Sequence, residues 1–299
     1  MKILFFGTSG FAIPSLKRLA KLHNVACVIT RPDKPCRRGY KISHPPIFSV
    51  AEELEINVIQ PDVLDISIIK EISPDIIVVV AYGGILPSGI IYFPKYGSIN
   101  LHPSLLPKYR GPAPISWALI QGETKTGITI AEISTGIDDG DIILQKEVDI
   151  LPDDDYEILA SRLAEIGADC LAFAISAIKE QKIEKKKQEG EPSYAPKIKG
   201  RVIINWGDEN RKIANLIRGI PKETGCWTKY GNSWIKILKG WVYSAKGEPG
   251  VLMGTKDNGI IIGCRDASVV IELLQKEGKK PISGKDFLSG IKDRPIIFR

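Results

Sequence analysis

Up to His102 the chain alternates short runs of β-branched and aromatic residues with stretches of helical period. Lys2–Phe6 reads as a strand ending in Gly7-Thr8-Ser9-Gly10, followed by a helix through Pro14 to Leu22. Val25–Thr30, Val58–Gln60, Asp75–Ala81 and Gly97–His102 supply four further strands. The run Asp75–Ala81 does not alternate, as expected of a strand buried on both faces. Strand–helix alternation of this kind predicts an α/β domain on a Rossmann-like, doubly wound, mostly parallel sheet. Ile128–Ile133 and Ile142–Val148 then read as a strand pair joined by the turn Gly136-Ile137-Asp138-Asp139-Gly140. A long helical period over Tyr156–Lys179 completes a first domain, residues 1–180.

Residues 181–202 change character, with Lys182, the run Lys185-Lys186-Lys187, Gly190, Pro192 and Pro196, and read as a basic linker. Beyond it, Asn210–Arg218 has a helical pattern. Trp234–Leu238, Gly240–Tyr243, Val251-Leu252, Gly259–Gly263 and Ser268–Leu274 read as short strands between turns. That spacing predicts a second domain, residues 203–299, formed as a small antiparallel β-barrel of the OB-like kind that binds nucleic acid or sugar.

Composition narrows the class. The 299 residues are 43% hydrophobic and 25% charged, the balance of a chain that buries a core. No apolar run approaches the roughly 18 residues of a membrane helix, and the start MKILFFG lacks a signal peptide's long apolar stretch, so a cytoplasmic protein without a membrane partner is expected. Five cysteines without C-x-x-C spacing and three scattered histidines argue against a metal site or a disulfide framework. The net charge of +6 is unevenly distributed: residues 1–180 sum to −5 and residues 181–299 to +11. A segregated basic region suits a polyanionic partner, and it equally suits a solvated surface.

Two features bear on chemistry. The turn Gly7-Thr8-Ser9-Gly10 lacks the G-x-G-x-x-G spacing of a dinucleotide site, and the second strand ends in Arg31 rather than an acid. Asn100 and His102, two apart at the end of a strand, project to one face at the edge where open sheets place active sites. An amide donor beside an imidazole suits a developing oxyanion and a proton transfer; the same pair would also satisfy loop backbone at a capped strand end. The loop that follows, Pro103 to Pro114, is stiffened by proline and carries Lys108 and Arg110.

From Asn100-Leu101-His102-Pro103-Ser104-Leu105-Leu106-Pro107 through Arg110-Gly111, the chain resembles the signature of the folate-dependent formyltransferases. Phe6–Ala12 resembles that family's opening, Val80–Pro87 its folate-pocket segment and Gly136–Asp141 its acidic loop. The stretch Arg31–Lys41 resembles the basic inserted loop of the tRNA-directed branch, and Asn205-Trp206 followed by a helix and strands resembles its carboxyl domain. The family's acidic loop usually has threonine where this chain has Asp139, and motif position selects Asp138. Ile220–Trp227 replaces a proline-richer family segment.

The resemblance implies an enzyme that passes the formyl group of 10-formyltetrahydrofolate, its co-substrate, to the α-amino group of initiator methionyl-tRNA in translation initiation, without a metal and as a monomer. It implies Asn100, His102 and Asp138 as the catalytic set. Folate would be bound by Ala81, Tyr82, Gly83, Ile85, Leu86, Pro87, Ser104, Leu105, Leu106 and Pro107. The tRNA would be bound by Arg37, Arg38, Lys41, Lys185, Lys186 and Lys187. A sugar-nucleotide N-formyltransferase with the same donor is the alternative within the family. A folate- or RNA-binding protein without catalysis is the alternative outside it, and one that has no need of the trio.

Overall fold

The structure, a computed structural model, describes residues 1–35, 42–291 and 296–299. It divides into two compact units. Unit 1 comprises Met1–Pro114, Lys125–Asp149 and Ala160–Ala195, and unit 2 comprises Ile115–Thr124, Ile150–Leu159 and Pro196–Arg299.

Among the described residues, unit 1 is built on nine strands: β1 (Lys2–Gly7), β2 (Asn24–Ile29), β3 (Lys34–Pro35), β4 (Ile42–Ser43), β5 (Val58–Ile59), β6 (Ile76–Val80), β7 (Ser98–His102), β8 (Lys125–Glu132) and β9 (Ile142–Asp149). β3 and β4 form a separate two-stranded ribbon. The other seven make one sheet in the order β5-β2-β1-β6-β7-β8-β9. The first five are mutually parallel, and β8 runs antiparallel to both of its neighbours, β7 and β9. β1 and β6 are buried along almost their whole lengths, as a sheet covered on both faces requires. The helices along the same stretch of chain are α1 (Ile13–Leu22), α2 (Pro46–Glu53), α3 (Ile66–Ile72), α4 (Ser88–Ile91), α5 (Pro114–Ile120), which but for Pro114 belongs to unit 2, and α6 (Tyr156–Lys179), whose first four residues do.

The strand order reverses at β1, which lies between β2 and β6, and ligands of open sheets gather beyond the carboxyl ends of the strands at such a point. Three loops leave those ends: Thr8–Gly10 after β1, Ala81–Pro87 after β6 and Pro103–Ala113 after β7. The pairing of Val79 with Asn100 sets the second and third side by side. The hydroxyl of Thr8 donates to the Tyr82 carbonyl at 2.8 Å and links the first to the second.

Unit 2 contains β10 (Val202–Ile203), α7 (Asn210–Gly219), β11 (Cys226–Tyr230), β12 (Ser233–Tyr243), β13 (Leu252–Lys256), β14 (Gly259–Gly263), β15 (Ser268–Lys276), β16 (Ile282–Ser283) and α8 (Gly284–Ser289). Its strands follow the path β10-β11-β12-β15-β14-β13, with β16 on β15, and this sheet is not closed. Ile213 and Ile217 of α7 are buried in its core with Trp206, Phe287 and Phe298. The two strands expected at Trp234–Leu238 and Gly240–Tyr243 are one strand, β12. Its register against β15 shifts on either side of Lys239, which explains the break in its apolar pattern.

Of the segment expected to be a basic linker, residues 181–195 belong to unit 1 and 196–202 to unit 2, and the former part is hydrogen-bonded into its unit. Lys186 exchanges backbone hydrogen bonds with Ile142 at the start of β9, at 2.7 and 2.9 Å, and Arg110 and Tyr194 form a parallel bridge. Among the described residues, no helix is long and apolar enough to cross a membrane.

Candidate active site

Asn100 and His102 stand at the end of β7, and the turn between β8 and β9 brings Asp138 to them. Asn100 Nδ2 donates to Asp138 Oδ1 at 3.2 Å, and His102 Nδ1 lies 3.5 Å from Asp138 Oδ2. His102 is 4% exposed. Its Nε2 lies 2.9 Å from the carbonyl oxygen of Tyr109; a carbonyl only accepts, so this nitrogen carries a hydrogen and Nδ1 is the one turned to the carboxylate. Asp139 points elsewhere and accepts a hydrogen bond from the Ser134 hydroxyl.

Backbone groups that sequence reasoning could not place complete the arrangement. Gly111 donates its N–H to Asp138 Oδ2 at 2.8 Å. Gly111 has φ +111°, a conformation that favours glycine, and a β-carbon there would stand 3.1 Å from the Ala195 carbonyl oxygen, close enough that the Ala195 backbone would have to give way slightly. Ala81, Tyr109 and Asp138 have φ of +47°, +60° and +48°. One non-glycine residue in the left-handed region therefore lies in each of the three segments around the site, a form of strain that persists only where surrounding bonds hold it.

The loop after β7 is braced from β8 and β9. The buried Thr129 hydroxyl donates to the Ser104 carbonyl at 2.7 Å and accepts from Leu106 N–H at 3.2 Å and Gln145 Nε2 at 2.9 Å. Gln145 Nε2 also reaches the Leu106 carbonyl at 3.0 Å, and the Ser104 hydroxyl donates to the Lys108 carbonyl at 2.6 Å.

The ten residues expected to hold folate thus fall into two groups. Tyr82 packs edge-on against Phe6 with ring centroids 5.1 Å apart, Leu86 is buried in the same cluster, and Ser104 and Leu106 are buried loop framework. Ala81, Gly83, Ile85 and Pro87 are exposed, and Leu105 and Pro107 are half-buried. Ile85, at 95% exposure, is an apolar side chain left to solvent on the rim of this edge.

Of the residues expected to meet tRNA, Arg37, Arg38 and Lys41 lie outside the described residues. Lys185 is ion-paired with Glu132, Lys186 is exposed but pinned through its backbone to Ile142, and Lys187 is exposed. Among the described residues, no group of three or more His, Cys, Asp or Glu side chains is arranged to hold a metal ion.

A carboxylate, an imidazole and an amide converging at a strand end, next to an open rim, can stabilise an oxyanion and move a proton. The formyl transferase family pattern matches residues 1–175, and the pattern of the formyl transferase C-terminal domain matches residues 198–292. The chain belongs to the formyl transferase family. It is 40% identical to methionyl-tRNA formyltransferase of Geobacter metallireducens over 99% of this chain and 98% of that one. It is 42% identical to that of Thermodesulfovibrio yellowstonii over 97% and 96%. Its fold matches WlaRD, a sugar 3N-formyl transferase solved in the presence of dTDP and 5-N-formyl-THF, with TM-score 0.69 and 24% identity over 94% of this chain and 99% of that one. It also matches the N-formyltransferase of Helicobacter canadensis in complex with folinic acid and dTDP-3-aminofucose, with TM-score 0.70 and 22% identity over 92% and 99%. At these identities the structural likeness is one of fold.

Proposed function

We propose that this chain transfers the formyl group of 10-formyltetrahydrofolate to the α-amino group of initiator methionyl-tRNA. The observation that carries the chemistry is the meeting of Asn100, His102 and Asp138 at the end of β7. The near-full-length likeness to methionyl-tRNA formyltransferases favours the acceptor.

The amine, neutral when it attacks, adds to the formyl carbon and leaves a negative oxygen and a positive nitrogen in one tetrahedral intermediate. Asn100 carries two amide hydrogens; one is directed at Asp138, and the second is the donor for the oxyanion. Asp138 balances positive charge on the nitrogen and receives its proton directly or through water. His102 Nδ1 relays that proton to the departing folate nitrogen as the carbon–nitrogen bond to the donor breaks. The carbonyl of Tyr109 keeps the ring from turning while it does so. No covalent enzyme intermediate is involved.

The folate ring is proposed to lie along Ala81–Pro87, with Ile85, Leu105 and Pro107 as apolar walls and loop backbone reading its polar edge. Arg37, Arg38, Lys41 and Lys187 with the +11 tail supply phosphate attraction that salt weakens. The OB-like reading of unit 2 draws support from Ile297 and Phe298, which bridge Val251, ahead of β13 at one end of the sheet path, and Tyr230 in β11, the second strand from the other end. We place the reaction in the cytoplasm.

An acceptor screen tests the proposal: purified protein with 10-formyltetrahydrofolate is offered charged initiator tRNA, charged elongator tRNA and amino-sugar nucleotides. Formylation of initiator methionyl-tRNA is expected. Turnover confined to the sugar nucleotides would replace the acceptor, and turnover of none would overturn catalysis.

A further inference from the structure

Residues 185–195 run as a strap over the two loops that hold His102 and Asp138, all of them within unit 1. On the His102 side, the Ser193 hydroxyl accepts from Tyr109 N–H at 2.9 Å, the Ser193 carbonyl accepts from Arg110 N–H at 2.8 Å, and Ala195 N–H donates to the Arg110 carbonyl at 2.7 Å. On the Asp138 side, the Gln188 amide Nε2 donates to the carbonyls of Asp138 and Gly140, both at 2.8 Å. Gln188 Oε1 accepts from Arg110 Nε at 3.1 Å and Nη2 at 2.7 Å.

We propose that Gln188 is a positioning residue for formyl transfer, locking the Asp138 turn to Arg110 through its side-chain amide. The inference rests on the reading of Asp138 as a participant in that transfer. Guanidinium groups only donate and carbonyls only accept, so the amide orientation follows from its partners, and both hydrogens and both oxygen lone pairs are used. Arg110 lies between the two backbone groups that meet the trio: the Tyr109 carbonyl that receives His102 and the Gly111 N–H that reaches Asp138. Gln188 therefore fixes the distance between the two halves of the site from outside it. It also bonds the carbonyl of a residue in the left-handed region, at φ +48°, and so holds the turn at its sharpest point. Lys186 anchors the strap to the start of β9, two residues beyond the Asp138 turn.

Gln188→Glu has the same shape and keeps an acceptor for Arg110, but it sets carboxylate oxygen against two carbonyls. In the full-length protein, its kcat should fall at least about tenfold, with KM for 10-formyltetrahydrofolate within about threefold of the parent and Tm within about 3 °C. Gln188→Leu should fall at least as far. Combined with Asp138→Asn, Gln188→Glu should cost less than about threefold further, since both act through one carboxylate; a purely structural loss would be carried over in full. Where Asp138→Asn leaves too little turnover to compare, Arg110→Ala takes its place, and the double variant should be no worse than about threefold below the poorer single. A Gln188→Glu enzyme above a third of parental kcat, a loss confined to KM, or strict additivity with the partner variant would overturn the inference. Parental activity in Asp138→Asn would instead overturn the reading of the site.

Discussion

The backbone N–H of Gly111 reaches Oδ2 of Asp138 at 2.8 Å, closer than either Asn100 at 3.2 Å or His102 at 3.5 Å. A main-chain group thus makes the shortest contact to the carboxylate at the centre of the site. Gly111→Ala would force a β-carbon toward the Ala195 carbonyl at an unfavourable φ and draw this N–H away. Turnover should drop by about one to two orders of magnitude with folate affinity retained, as read by steady-state kinetics and by titration with the folate. Unchanged turnover would mean that the contact is incidental.

Asn100→Ala removes an oxyanion donor, a change worth about 2.7–4 kcal/mol in comparable sites, so kcat should decline about a hundred- to a thousandfold. His102→Ala and Asp138→Asn should each cost at least about a hundredfold while folate binding stays nearly intact, because both act on charge that develops in the transition state. A variant of either that keeps about a third of parental kcat would show the trio to be misassigned.

Thr129 serves the loop after β7 rather than the chemistry. Thr129→Val keeps its shape but strands the Ser104 carbonyl and the Leu106 N–H in a buried place. A loss of about 1–3 kcal/mol in urea unfolding is expected, together with weaker folate binding, since Leu105 and Pro107 are carried by the same loop. A variant equal to the parent in both respects would remove Thr129 from the design of the site.

The double change Arg37→Ala and Arg38→Ala should raise KM for charged tRNA and flatten its salt dependence, leaving slow formylation of a minimal methionyl acceptor unchanged. Equal losses on both acceptors would assign the loop to the catalytic pocket.

Burial pushes the Cys27 thiol up to about 11 and the Cys226 and Cys264 thiols up to about 12, from 9.0. A raised folded-state value leaves its share of stability whole below pH 9 and removes it as pH climbs toward 12, because only the unfolded thiol ionises in that window. Unfolding free energy should therefore decline above pH 9, and the decline should be shallower by about 1.4 kcal/mol per pH unit in Cys226→Ala. Parallel pH profiles for parent and variant would refute this.

The seven strands of the main sheet of unit 1 were legible because apolar runs such as Ile76–Val80 have no polar interruption, and the shared face of Asn100 and His102 followed from their spacing on a strand; the two-residue strands β3 and β4 are too short for any period. α3, seven residues long, and β11, with Thr228 and Lys229 among its apolar positions, were not: each is too short or too mixed for its period to register, and tertiary packing decides them. Gln188 was hidden by its neighbours. It follows Lys185-Lys186-Lys187 in a stretch with the composition of a linker, and nothing local indicates that its amide meets Asp138, 50 residues away. The left-handed residues were equally silent, since Ala81 and Tyr109 are not residue types that announce such a turn.

Ile115–Thr124 and Ile150–Leu159 belong to unit 2 although each is flanked in sequence by unit 1. The carboxyl-terminal half is therefore not a cassette that begins where the pattern of its family begins, at residue 198. A chimaera that takes only residues 196–299 from a relative keeps two host segments inside a foreign unit; one that also takes 115–124 and 150–159 exchanges the unit whole. A single crossover cannot deliver the second: exchanging the unit whole takes three separate segments of the chain.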